Sequence, residues 1–246
     1  MTQVLMGQQA TRSTRIVFAG TVPASLVDFP GHVATTLFTQ GCNLRCGYCH
    51  NPMLVEGPPP ERPLSADDAI ALLERRRRLV RHVCLTGGEP TLHPGLIAFL
   101  AALKERGFGV KLDTNGGRPD VIAEVLRQGI CDYIAMDLKT AWHRYQEIGA
   151  KDPAPFRQTA EMIRSEAPNY EFRTTVAPGL VEEADVFTIA ESIRGARRYT
   201  LQQFSARGRM LAPAWSGIQP HPADRLRAWA EAMEGWFQEP VQVRSA

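Results

Sequence analysis

Six short runs rich in apolar and β-branched residues, at 33–38, 83–86, 109–113, 133–138, 171–176 and 199–204, punctuate this chain of 246 residues. From the second onward, stretches of helical pattern separate them, at 95–106, 119–128, 154–166 and 183–195. Such alternation implies right-handed βαβ units and a parallel sheet. Six strands are too few to close an eight-stranded barrel. The expected fold is therefore α/β, an open, partial (β/α)6 barrel of TIM-like parallel strands with an N-terminal β extension. A doubly wound sheet is the rival. Both architectures place chemistry at the C-terminal ends of the strands. There the sequence reads GCNLRCGYCHN, TGGEP, DTNGG, DLK, RTTVAPG and QQF. Glycine, cysteine and polar residues gather at these ends, which the loops of a pure scaffold have less reason to show.

The remaining chain divides around that unit. Residues 1–15 are polar and expected to be mobile. Residues 16–204 carry the barrel, beginning with a β-like Ile16, Val17 and Phe18. The segment GPPPERP at 57–63 cannot be helical. Ser65 and Asp68 form an S-x-x-D capping box that opens a helix to about Arg78. In the extension 205–246, Leu226, Trp229, Met233 and Trp236 fall at helical spacing within 223–237. That helix packs on the barrel or docks a partner.

A net charge of +2 is far from that of a polybasic nucleic-acid binder. The run Arg75 to Arg78 spreads around a helix and reads as a solvated end. The longest solid apolar run, 96–103, is too short to cross a bilayer, and the N-terminus shows no apolar signal region. The chain is expected in the cytoplasm, with neither nucleic acid nor membrane as partner. Thiols stay reduced in that compartment, so clustered cysteines point to metal or redox chemistry.

Cys42, Cys46 and Cys49 form C-x3-C-x2-C. Three thiolates on one loop can hold three irons of a cubane cluster and leave the fourth without a protein ligand. Such an open iron suits a Lewis-acid or inner-sphere electron-transfer role. Tyr48 is placed to lay an aromatic face over a ligand. Other readings fit parts of the pattern: structural zinc with His50 or a distant fourth ligand, c-type haem attachment at CGYCH, or a redox C-x-x-C pair. Zinc ribbons, however, use a second C-x2-C pair that this chain lacks, and haem attachment leaves Cys42 unexplained. Cys84 and Cys131 read as small core residues.

Taken with Gly87-Gly88-Glu89-Pro90 about forty residues downstream, the cysteine motif resembles the radical S-adenosylmethionine superfamily, over about 16–204. Asp113-Thr114-Asn115-Gly116, Asp137-Leu138-Lys139 and the stretch from Arg173 through Val176 resemble later motifs of its glycyl-radical activating enzymes. TVPASLVDFPGHVATTLFTQGCNLRCGYCHNP is most similar to the activating proteins of anaerobic ribonucleoside-triphosphate reductase, with pyruvate formate-lyase activating enzymes close behind. His93 departs from the pattern, and no late histidine is evident; Gln203 occupies that neighbourhood.

The resemblance implies a 4Fe-4S cluster on Cys42, Cys46 and Cys49, with S-adenosyl-L-methionine chelating the open iron. One-electron cleavage would then yield a 5′-deoxyadenosyl radical. The implied partner is a glycyl-radical enzyme, and the implied electron donor a flavodoxin- or ferredoxin-type protein. A 7-carboxy-7-deazaguanine synthase, acting on a small molecule, is the alternative. Tyr48, Gly87, Gly88, Glu89, Asp113, Thr114, Asn115, Asp137, Lys139, Arg173 and Val176 are the implied cofactor-binding residues. Strand-end glycines let backbone approach a ligand. The carboxylates suit the cofactor's ammonium, and Lys139 and Arg173 suit its carboxylate. Each also has a plainer reading: a β-turn at 113–117, a structural ion pair at Asp137 and Lys139, and core packing at Val176.

Overall fold

The computed structural model describes residues 16–245; the expected mobility of residues 1–15 lies outside the described residues. Strand β1 (Val17–Phe18) leads into β2 (Gly20–Phe29) and β3 (His32–Thr39). After the short α1 (Pro52–Val55) and β4 (Leu64–Ser65), strands and helices alternate. They are α2 (Ala66–Arg76), β5 (His82–Gly87), α3 (Leu96–Glu105), β6 (Gly109–Thr114), α4 (Pro119–Gln128) and β7 (Tyr133–Asp137). Then come α5 (Ala154–Glu166), β8 (Tyr170–Val176), α6 (Glu183–Ser192), β9 (Tyr199–Gln203), α7 (Ala223–Ala232) and β10 (Gln242–Arg244).

One eight-stranded sheet runs β10-β9-β8-β7-β6-β5-β3-β2. Only the β2–β3 pair is antiparallel; the other pairings are parallel. The sheet curls into the expected open half-barrel. Seven parallel strands replace the expected six, because β10 continues the series beyond β9. The segment 19–31, expected as part of the N-terminal β extension, is largely strand β2. It tolerates Pro23 because it is the sheet edge and its register shifts between Val22 and Ser25. The helix at 223–237 ends at Ala232 instead. At α2 the Ser65 hydroxyl accepts from the Asp68 N–H, as a cap should. It donates in turn to the Asp68 carboxylate.

Side chains alternate across the sheet, and that alternation separates two environments. Leu37, Leu85, Leu112 and Ile134 lie side by side on adjacent strands, buried in the large core beneath the helices. Fully burying one such side chain contributes roughly 1.5–3 kcal/mol. The opposite row, Thr36, Cys84, Lys111 and Tyr133, faces the barrel interior. Its small apolar cluster contains Phe29, Ala34, Cys84, Tyr133 and Ala135. Lys111 on β6, and Glu171 and Arg173 on β8, are buried charges of the same sheet. The interior is thus polar, and each buried charge there needs a partner.

Candidate functional site

The C-terminal ends of β3, β5, β6 and β7 converge on one cavity. It is lined by Cys42, Cys46, Tyr48, Cys49, Gly87, Gly88, Glu89, Asp113, Thr114, Asn115, Asp137 and Lys139. Thr86 and Thr175, which sequence reasoning passed over, also line it. Two expected residues stand apart. Arg173 lies behind the wall, bonded to two carboxylates that do line it, and Val176 is fully buried in the core. Gln203 is turned away too, its amide donating to the His221 carbonyl at 2.9 Å.

The cysteine loop is held by the loops at the ends of the other strands. Its start packs on β5: a Cβ on Gly88 would lie 2.0 Å from the Gly41 carbonyl oxygen, and one on Gly87 2.3 Å from that of Thr39. Gly87 also has a φ of +121°, which side-chain-bearing residues avoid. Gly88 and Glu89 donate their N–H groups to the Thr39 and Gly41 carbonyls, at 2.9 and 2.8 Å. The two glycines are therefore what brings β5 against the residue preceding Cys42. His93 serves the same junction, its ring hydrogen-bonding the Gln40 carbonyl at 3.0 Å. From the β6 side, Asn115 donates to Asn43 at 2.7 Å. From the β7 side, Ile148 accepts from the Arg45 N–H at 2.7 Å.

Glu89 lines the cavity, and its side chain is bonded within the protein. Its fully buried carboxylate accepts from the Thr91 N–H at 3.0 Å, the Thr114 hydroxyl at 2.8 Å and the Asn115 N–H at 2.6 Å. Burial pushes its pKa up, these bonds pull it back, and the net shift is upward. The side chain ties the end of β5 to the end of β6.

The charges form a network beside the cavity. Arg173 reaches Asp137 at 2.7 Å and Asp113 at 3.2 Å. Lys139 bonds Asp137 at 2.9 Å, and Lys111 bonds Asp113. Burial opposes ionisation of both aspartates, yet the facing cations more than offset it, holding both below the usual carboxylate value. Lys139 is held well above the usual lysine value: burial lowers it, and Asp137 more than compensates. Asp113, Asp137, Lys139 and Arg173 therefore stay ionised near neutrality. Lys111 was missed from the sequence. Its signal was the spacing of two in GVKLDT, the same that pairs Asp137 with Lys139.

Cys42, Cys46 and Cys49 are free thiols, and Cys84 and Cys131 are buried in the interior. Burial pushes the Cys46 thiol up to about 12 and raises that of Cys42. A bound metal displaces such protons outright. Beside them, the Tyr48 hydroxyl is buried without a hydrogen-bond partner. Among the described residues, no three His, Cys, Asp or Glu side chains converge as ligands of a single ion would. Three thiols spread along one cavity suit a cluster, in which each binds a separate iron. The donor set and the glycine cradle thus fit a 4Fe-4S cluster and S-adenosylmethionine. No helix among the described residues is long and apolar enough to cross a membrane.

Comparison with known proteins agrees with this geometry. A protein of Methanocaldococcus jannaschii named for glycyl-radical enzyme activation is 29% identical over 198 residues, spanning 77% of this chain and 80% of that one. The pyruvate formate-lyase-activating enzyme of Clostridium pasteurianum is 29% identical over 74% of this chain and 79% of its own. Among solved structures, QueE from Escherichia coli superposes with a TM-score of 0.58 at 15% identity, over 98% of this chain and 99% of that one. That likeness concerns the fold. The pattern of the radical SAM superfamily matches residues 36–188, well over half of the chain, and with the cysteine loop, glycine cradle and half-barrel in place the chain belongs to that superfamily.

Proposed function

We propose that this radical SAM enzyme activates a glycyl-radical enzyme, and that its target is an anaerobic ribonucleoside-triphosphate reductase. The observation carrying the reading is similarity, along most of both chains, to proteins named for such activation. The finer target is supported by the segment 21–52, which resembles the reductase activators. Residues 16–204 are read as the catalytic barrel and 205–246 as an extension; a flavodoxin- or ferredoxin-type protein is the proposed electron donor.

When bound, the cluster would deliver one electron to S-adenosylmethionine and so release a 5′-deoxyadenosyl radical. Cys42, Cys46 and Cys49 would hold it. The chain's own residues orient the cofactor. Lys139, ionised at the cavity wall, suits the methionine carboxylate. Asp113 and Asp137, ionised beside it, suit the ammonium. Arg173 keeps both carboxylates ionised from behind. The Glu89 carboxylate holds the β5 and β6 ends at fixed separation, while the backbone of the turn would face the cofactor's ammonium.

The test is anaerobic electron paramagnetic resonance of the reconstituted, reduced enzyme with S-adenosylmethionine and the same organism's anaerobic reductase. A glycyl-radical doublet on the reductase, absent with Cys46→Ala, is expected. Formation of 5′-deoxyadenosine without that doublet would overturn the target. It would point to a pyruvate formate-lyase-type partner or to a small-molecule substrate such as that of a 7-carboxy-7-deazaguanine synthase.

A further inference from the structure

The loop after β9 lies against the loop after β3, although four strands separate those two in the sheet. It leaves the sheet at Phe204 and is anchored by Met210, both buried. Between them and Trp215 the chain runs along the outer flank of the cysteine loop. Leu211 donates its N–H to the Cys49 carbonyl at 3.1 Å, and Ala212 donates to that of Gly47 at 2.9 Å. The His50 ring packs on the Phe204 ring, where the loop leaves β9, at 5.9 Å. The Trp215 indole meets the Tyr48 ring edge-on at 5.6 Å and the Phe204 ring at 5.9 Å. Four consecutive residues of the loop, 47–50, are therefore gripped from one side, and the motif's last cysteine is among them.

Gly47 records how close the grip is. Its φ is not positive, so its backbone would accept alanine. A Cβ there, however, would lie 2.3 Å from the indole Nε1. The space is closed by Trp215, with Ala212 the next neighbour at 3.3 Å. None of 207–215 lines the cavity on the other side of the loop. The segment touches the backbone of Gly47 and Cys49 and the ring of Tyr48 from the outer flank.

We propose that Trp215 is a positioning residue for the cysteine loop. With the strap 207–215 it fixes Gly47 to His50 before any cluster is bound, setting the separation of Cys46 and Cys49, and it shields the loop's outer flank from water. It completes the ring of strand-end loops across the open side of the half-barrel. The proposal rests on the cluster-binding reading only for its second readout, the loss of iron to a chelator.

Amide hydrogen exchange of the cluster-free full-length protein tests it directly. Trp215→Ala is expected to speed exchange at residues 46–50 about tenfold, with β6 and β7 unchanged, and Trp215→Phe to restore most of the protection. Gly47→Ala should speed the same amides alone, yet add little in the Trp215→Ala background, because the clash is with the indole. Unchanged exchange in Trp215→Ala, or independent effects of the two substitutions, would overturn the proposal. Should Trp215→Ala unfold as a whole, seen as fast exchange throughout β6 and β7, Gly47→Ala decides alone: fast exchange confined to 46–50 supports the strap, and none overturns it. After anaerobic reconstitution, Trp215→Ala should also lose iron to a chelator several-fold faster than wild type. A wild-type protein that takes up no cluster would sink the iron–sulfur reading, while the exchange data would still judge the strap.

Discussion

Arg173 is the residue on which the charge network turns, because it alone faces both Asp113 and Asp137. Replacing it by methionine keeps much of the bulk and leaves two buried carboxylates short of a cation. A loss of about 3–5 kcal/mol is expected, measured by thermal or denaturant unfolding. The pH dependence has its origin in the same contacts. Both aspartates titrate below their ordinary value of 3.8 in the folded chain. Their ionised form thus adds stability that is complete above that value and is lost as pH falls through the lower folded one. Arg173→Met should move the onset of acid unfolding to higher pH; an unmoved onset would show that the guanidinium does not hold them. Glu89→Gln is a second probe. It sets an amide where two backbone N–H groups and two hydroxyls donate, so a donor meets a donor at a fully buried site. About 1–3 kcal/mol of stability should go, read as a lower unfolding midpoint. Asp137 and Lys139 were legible as a pair from their spacing of two. The task of Glu89 was not, since its partners Thr114 and Asn115 are 25 and 26 residues away and meet it only through the packing of β5 on β6.

Among the elements, the helices at 119–128 and 154–166 could be read to the residue. Each presents a plain apolar face, with Ile122 and Val125 buried in one and Phe156, Ala160 and Ile163 in the other. Edge strands were harder. β2 carries Pro23 and exposes Leu26 and Val27, so it lacks the alternation of a half-buried strand. The glycine turn after β5 read as a cofactor cradle, and its backbone does line the cavity. Its second role, pressing on Gly41, depends on a contact no local pattern encodes. Gly88→Ala therefore has a defined outcome. The added methyl meets the Gly41 carbonyl oxygen at 2.0 Å, so the start of the cysteine loop must shift. Iron content after reconstitution should fall sharply while the helical circular dichroism persists. Full iron loading would show that the loop does not depend on this contact.

Across the whole molecule, the strap and β10 join what the sheet order separates. β10 adds a seventh parallel strand and brings Arg244 within 2.9 Å of Glu171, which is 1% exposed. Only the three residues 242–244 form that strand, too few for periodicity to register, so it went unread within the C-terminal extension. Arg244→Ala should cost a few kcal/mol, because Arg173 at 3.9 Å is the remaining cation near that carboxylate. Adding Glu171→Gln should recover part of the loss; full additivity would deny the pairing. The half-barrel and the convergence of its strand ends were legible because polar residues, glycine and cysteine interrupt otherwise apolar strands there. The closure of its open side was not, because it joins the loops after β3 and β9 across more than 150 residues of sequence.

The whole mechanism depends on three cysteines holding a cluster whose remaining iron is free for S-adenosylmethionine. Electron paramagnetic resonance of the reduced, reconstituted protein, recorded before and after the cofactor is added, is the decisive measurement. The spectrum should change its g-values on addition, and the signal should be absent from Cys46→Ala. A cluster signal indifferent to S-adenosylmethionine, or one that persists without Cys46, would contradict that arrangement.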